Sequence, residues 1–262
     1  MDEGFIKKMT TNFLVLTGDG INCERETAWA FEQAGGQGHI VHVNDVLENP
    51  KLIHDYDGMA FPGGFSFGDD LGSGQVLAIK LRYQMGEHLK RFVDGGAPII
   101  GICNGFQVLT KLGLLPDITK ERHMALAPNI HGRFIDRWVK MTRVKNAVCK
   151  WTTGMTDLEL PVRHGEGRVV FSRGKEQEIY SELLSQGQIA LRYEEDINGS
   201  YERIAAVTDK TGLILGLMPH PEAYLYQETH YRHRVHKEFL EQGDGLQLFK
   251  NIITYCENRG EQ

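Results

Sequence analysis

The N-terminal part of the chain alternates short apolar runs with stretches of helical spacing. Phe13-Leu14-Val15-Leu16-Thr17 is an apolar run closed by Gly18-Asp19-Gly20, the pattern of a buried strand and its turn. Asn22 is placed to cap the helix that follows, Glu24 and Glu26 suit its positive end, and Gly35-Gly36 closes it. Residues 39–43 and Gly58–Phe61 read as a second and a third strand. Helical spacing returns over residues 75–93 and stops at Gly95-Gly96. Residues 98–102 form a fourth strand, and Asn104–Leu112 the helix behind it. Alternation at this pace predicts an α/β fold: an open, mostly parallel sheet with helices on both faces.

The second half carries a different pattern. Residues 133–144, 160–163, 169–172, 189–193, 204–207 and 214–218 read as shorter strands. Asn198-Gly199 and Lys210-Thr211-Gly212 read as hairpin turns between them. Residues 224–255 read as helical, interrupted at Gly243-Asp244-Gly245. There is no internal repeat and no low-complexity linker. The expected organisation is an N-terminal extension over residues 1–12 and one α/β domain over 13–262 with a β-rich second half.

Composition narrows the function classes. The chain has 262 residues, 41% of them hydrophobic, enough for a sizeable core. A net charge of −6 leaves no electrostatic footprint for nucleic acid. No apolar run reaches the roughly 18 residues of a membrane span, and the first dozen residues lack a signal-peptide core. Cys23, Cys103, Cys149 and Cys256 are scattered without CxxC spacing, which points to a reducing cytoplasm rather than a disulfide framework.

Three strand ends carry candidate chemistry. Ile99-Ile100-Gly101-Ile102-Cys103-Asn104-Gly105 runs from a strand through a thiol into a helix, with a glycine on either side. A helix N-terminus favours thiolate, and flanking glycines relieve a tight nucleophile turn; the competing reading is a small buried hydrophobe. Met218-Pro219-His220-Pro221-Glu222 follows another apolar strand, so His220 can take a thiol proton and Glu222 can orient the imidazole; the competing reading is a satisfied histidine in a proline-rich loop. Phe61-Pro62-Gly63-Gly64-Phe65-Ser66-Phe67-Gly68-Asp69-Asp70 opens a third strand into a glycine-rich loop whose N–H groups can stabilise an oxyanion. A phosphate loop is disfavoured there because the Lys-Ser/Thr ending is missing, and a structural turn remains open. All three lie where open α/β sheets place their sites.

Gly101, Cys103, Gly105 and Gln107 match the G-x-C-x-G-x-Q motif, and His220-Pro221-Glu222 the H-P-E motif, of the class I glutamine amidotransferases. The chain resembles this family, and within it the glutaminase subunits of phosphoribosylformylglycinamidine synthase. The stretches that carry the closer resemblance are Asn22-Cys23-Glu24, PGGFSFGDDLGSG from Pro62, GICNGFQVLTKLGLLP from Gly101, HGEGR from His164 and GLMPHPE from Gly216. The resemblance implies a flavodoxin-like amidotransferase fold and hydrolysis of L-glutamine through Cys103, His220 and Glu222. It places the oxyanion at Asn104 and Gly63-Gly64, and Gln107, His164 and Gly165 near the substrate. It implies no metal or cofactor in this subunit. ATP and magnesium belong to a large partner synthetase subunit, which takes the ammonia, and a small third subunit bridges the two.

The chain departs from the family pattern in two places. Glu24 stands where the family commonly has Asp. Ala223 stands where Arg commonly follows H-P-E, and the Tyr-, His- and Arg-rich residues 224–243 then form a longer stretch, read either as a partner-docking element or as an extra surface helix. Two further readings of the whole chain stay open: a class I glutaminase serving another synthetase, and a non-catalytic regulatory module.

Overall fold

The computed structural model describes residues 10–117, 122–233 and 242–259. Its first half is β1 (Asn12–Thr17), α1 (Glu24–Gln33), β2 (Gln37–His42), α2 (Val43–Glu48), β3 (Gly58–Phe61), α3 (Gln75–Asp94), β4 (Ile99–Ile102) and α4 (Asn104–Leu112). The second half is β5 (Met124–Pro128), β6 (Ile135–Arg143), β7 (Asp157–His164), β8 (Glu166–Phe171), α5 (Glu176–Ser185), β9 (Ile189–Tyr193), β10 (Ile204–Thr208), β11 (Ile214–Leu217) and α6 (Asp244–Arg259).

Nine strands make one sheet in the order β2-β1-β3-β4-β11-β10-β9-β6-β7. The five from β2 to β11 run parallel, and the last four pair antiparallel. The parallel strands β3, β4 and β11 are buried at every residue, as strands covered on both faces must be. On one face α1 and α6 pack together, and Phe31 of α1 stacks on Phe13 of β1 at 4.1 Å and meets Phe249 of α6 edge-on at 5.0 Å. On the other face α4 lies against β3, β4 and β11, with α3 beside it. β5 and β8 pair as a separate two-stranded sheet.

The expected α/β architecture and its β-rich second half are present, with several corrections. Asn22 does not cap α1: Cys23 occupies the N-cap position and no side chain bonds the exposed N–H groups. The second-half strands are not uniformly short, since β6 and β7, with 9 and 8 residues, are the longest in the sheet. Lys210-Thr211-Gly212 does turn a hairpin between β10 and β11. Asn198-Gly199 instead lies within a long connection from β9 to β10. Of the helix expected over 224–255 the described residues hold α6, which Asp244 opens rather than interrupts. Residues 224–233 are turns with one short 3₁₀ segment, Gln227–Thr229, because Tyr224, His230 and Tyr231 group around Trp138 instead of lining one helical face. Residues 1–9 of the expected extension, and residues 234–241 of the atypical stretch, lie outside the described residues.

Candidate active site

The register of two strands brings the thiol and the imidazole together. β4 and β11 run parallel with Ile102 beside Leu217, and the Cys103 N–H continues the ladder to the Leu217 carbonyl at 2.8 Å. Cys103 therefore leaves the sheet one residue past that pair and His220 three residues past it, at the same carboxyl edge. Cys103 sits at φ 52°, ψ −104°, a strained conformation for a residue with a side chain, and occupies the N-cap of α4. Gly105 makes this turn possible: a Cβ there would stand 1.9 Å from the Phe61 carbonyl oxygen, so α4 approaches β3 only without one. The thiol is 6% exposed.

His220 and Glu222 are both buried, and the imidazole Nδ1 meets Glu222 Oε1 at 2.6 Å. His220 Nε2 makes no hydrogen bond. Burial works against charge on this ring. The Glu222 carboxylate and the neighbouring Cys103 and Cys23 thiols outweigh it and hold the His220 pKa well above the ordinary imidazole value. The arrangement suits a thiolate–imidazolium pair with a carboxylate behind it.

The glycine loop after β3 adjoins this pair. The Gly63 carbonyl accepts from the Asn22 N–H at 3.3 Å, so the N–H of the same trans peptide, on Gly64, points the opposite way. Gly64 adopts φ 139° and bridges to Ile21; a side chain there would collide with the Gly20 carbonyl. Asn104 clasps the same loop. Its Oδ1 accepts from the Ser66 N–H at 3.1 Å, and its Nδ2 donates to Asp69 Oδ1 at 3.0 Å and Gln107 Oε1 at 2.9 Å. Gln107 in turn donates from Nε2 to the Glu166 carbonyl at 2.7 Å. Both ends of the buried Gln107 amide are thus engaged, Oε1 with Asn104 within α4 and Nε2 across to β8.

β7, the last strand in the sheet order, returns over the thiol. The Arg163 carbonyl accepts from Cys103 Sγ at 3.6 Å, and the Pro161 carbonyl from the His220 N–H at 2.9 Å. His164 follows, 3% exposed, with its pKa lowered to about 4 by burial and, secondarily, by the charge of His220. It is neutral at pH 7. Asn129 fixes its tautomer. The Asn129 Nδ2 donates to the His164 and Arg133 carbonyls, both at 2.9 Å, which leaves Oδ1 to accept from His164 Nδ1–H at 3.1 Å. His164 Nε2 is then a buried acceptor without a partner. Gly165, whose carbonyl accepts from the Asn129 N–H at 2.9 Å, turns the chain from β7 into β8.

A family model described as the CobB/CobQ-like glutamine amidotransferase domain matches residues 10–256. The chain belongs to this family. The amidotransferase is 41% identical to the phosphoribosylformylglycinamidine synthase subunit PurQ of Methanococcus maripaludis, over 94% of this chain and 99% of that protein. It is 40% identical to the subunit of the same name from Dehalococcoides mccartyi, over 93% of this chain and 96% of that one. Among solved structures, PurLQS from Thermotoga maritima superposes with a TM-score of 0.73 at 32% identity, covering 94% of this chain and 99% of the matched chain.

Cys103, His220, Glu222, Gly63, Gly64, Asn104, His164 and Gly165 thus come from four connections to one region. Four contributors escaped sequence reasoning. Pro161 and Arg163 act through backbone carbonyls, which no residue type announces. Asn129 lies far from any motif. Cys23 lies in the Asn22-Cys23-Glu24 stretch without a role attached, yet its sulfur and the His220 ring flank the same Gly63 Cα. Among the described residues, no helix is long and apolar enough to cross a membrane.

Proposed function

We infer that this amidotransferase is the glutaminase subunit of a phosphoribosylformylglycinamidine synthase. The observation that carries the reading is the buried Cys103–His220–Glu222 constellation at one sheet edge, with its 2.6 Å imidazole–carboxylate bond. In this proposal the Cys103 thiolate attacks the carboxamide carbon of L-glutamine. The N–H groups of Gly64 and Asn104 stabilise the developing oxyanion. His220, charged through Glu222, gives its proton to the departing nitrogen, and ammonia leaves behind a γ-glutamyl thioester. The now neutral His220 takes a proton from water, the resulting hydroxide attacks the thioester, and glutamate and the thiolate are restored.

The His164-Gly165 loop borders this space and Gln107 holds the loop in place. Ammonia passes to a large synthetase subunit that uses ATP and magnesium to convert formylglycinamide ribonucleotide to the amidine, with a small bridging subunit completing the assembly. The PurQ names of the relatives and the PurLQS neighbour support this assignment. The glutaminase subunit itself uses no cofactor in this reading, and its four free thiols suit the reducing cytoplasm.

The test is Cys103→Ala assayed with the reconstituted synthetase. Glutamine-dependent amidine formation falls by at least about 10³-fold, as for loss of other covalent nucleophiles, while formation from added ammonium salt persists. Glutamine turnover that survives in the variant removes Cys103 from the mechanism.

A further inference from the structure

The mechanism leaves one group at the site without a task. Cys23 occupies the N-cap of α1, and its thiol donates to Asn22 Oδ1 at 3.2 Å. One donor atom of each of Cys23, His220 and Glu222 lies within 4.8 Å of the others. His220 and Glu222 are 3% and 4% exposed, and each keeps one buried donor atom, Nε2 and Oε2, without a hydrogen-bond partner. Buried polar atoms left open in this way mark places where a further group binds.

We propose that Cys23, His220 and Glu222 form an inhibitory site for a soft divalent cation of the zinc class. Three arguments favour that class. A thiolate, an imidazole and a carboxylate are the donors zinc takes, whereas magnesium and calcium prefer oxygen alone. Ligand atoms around a tetrahedral zinc stand about 3.3–3.8 Å apart, a spacing that falls between the 2.6 Å of the His220 Nδ1–Glu222 Oε1 contact and the 4.8 Å that bounds the set. The charge also balances. A half-buried Cys23 thiolate and the buried Glu222 carboxylate are two negative charges, and a doubly charged cation cancels both.

Binding releases two protons to solvent, one from the Cys23 thiol and one from the His220 imidazolium, so that the sulfur becomes a thiolate ligand and the ring a neutral one. The bound ion takes an imidazole lone pair and the Glu222 carboxylate. His220 then neither donates nor accepts a proton, and glutamine hydrolysis stops. This consequence rests on the glutaminase reading; the binding itself does not.

The binding is read without glutamine or partner subunits, by adding cobalt(II) alone to the full reduced chain. The expected result is a thiolate-to-cobalt charge-transfer band that saturates at one equivalent, is displaced by zinc, and persists in Cys103→Ala. The band is lost in Cys23→Ala, and in Cys23→Ser if the alanine variant does not fold. In the glutaminase assay, each variant normalised to its own metal-free rate, zinc inhibits the parent protein, and Cys23→Ala needs more than about tenfold more zinc for the same inhibition. Magnesium inhibits neither. A missing band, a band unchanged by loss of Cys23, or a band that vanishes with Cys103 instead overturns the proposal.

Discussion

The two halves of the sheet contribute to the site in different currencies. The parallel half, β2 to β11, supplies groups that leave the carboxyl edge at strand-to-loop turns: the side chains of Cys103 after β4 and of His220 and Glu222 after β11, and the backbone of the Gly63-Gly64 loop after β3. The antiparallel half supplies backbone and scaffolding. The Pro161 and Arg163 carbonyls of β7 hold the imidazole's backbone and the thiol, and Asn129 locks His164. A parallel edge presents side chains from successive strands toward one point. An antiparallel extension that curls back over that edge brings carbonyls instead. In the proposed mechanism the first half carries the reaction chemistry and the second supplies the groups that cover it.

Substitutions can break that division. The largest effect is expected from Glu222→Gln, which keeps the size of the side chain and removes the charge that stabilises imidazolium. By analogy with other His-orienting carboxylates, turnover should drop by up to about 10⁴-fold. The alkaline limb of the rate profile should move to lower pH, because the His220 pKa loses its main upward pull. The same proton enters stability. With a raised folded pKa, its contribution is present in full below the unfolded imidazole value of about 6.5 and is lost as pH rises through the folded value. Glu222→Gln should remove that alkaline loss, as seen by denaturant titration across pH.

A smaller effect is expected from Gly105→Ala in the parallel half. The new Cβ meets the Phe61 carbonyl, so α4 must shift off β3. The expected cost is about 1–3 kcal/mol in urea unfolding, with the nucleophile displaced and turnover lowered in step. The smallest effect belongs to the antiparallel half. Asn129→Ala leaves the His164 ring and two carbonyls without partners, for about 1–3 kcal/mol of stability, with kcat changed far less than by Glu222→Gln. A fall in kcat as large as that of Glu222→Gln would place chemistry in the antiparallel half and undo the comparison.

The same contrast explains what was legible in the sequence. β1, β3, β4 and β11 are dense apolar runs bounded by glycine or proline, and the reactive side chains sit at their ends, where position and residue type agree. α2 exposes three of its six residues and buries only Val43 and Val46, too little for a periodicity to register. α5 buries only Tyr180 and Leu183. β5 ends in Pro128 and alternates over just five residues. The cover over Cys103 is made by main-chain oxygens, for which any residue would serve. Residues 224–233 carried the composition of a surface helix, yet their aromatic rings found a better partner in Trp138.

The strand order has a bearing on how the protein is made. β11, which leads into His220 and Glu222, is inserted between β4 and β10 in the middle of the sheet, although it is the last strand of the sheet among the described residues. Cys103, the proposed nucleophile, leaves the ribosome more than a hundred residues before His220, its proposed base. A nascent or truncated chain can gather β1 to β4 and display Cys103, but it has no imidazole beside the sulfur and no strand to close the sheet. Glutamine cleavage is thereby tied to completion of the fold, and an unfinished chain has no means of spilling ammonia.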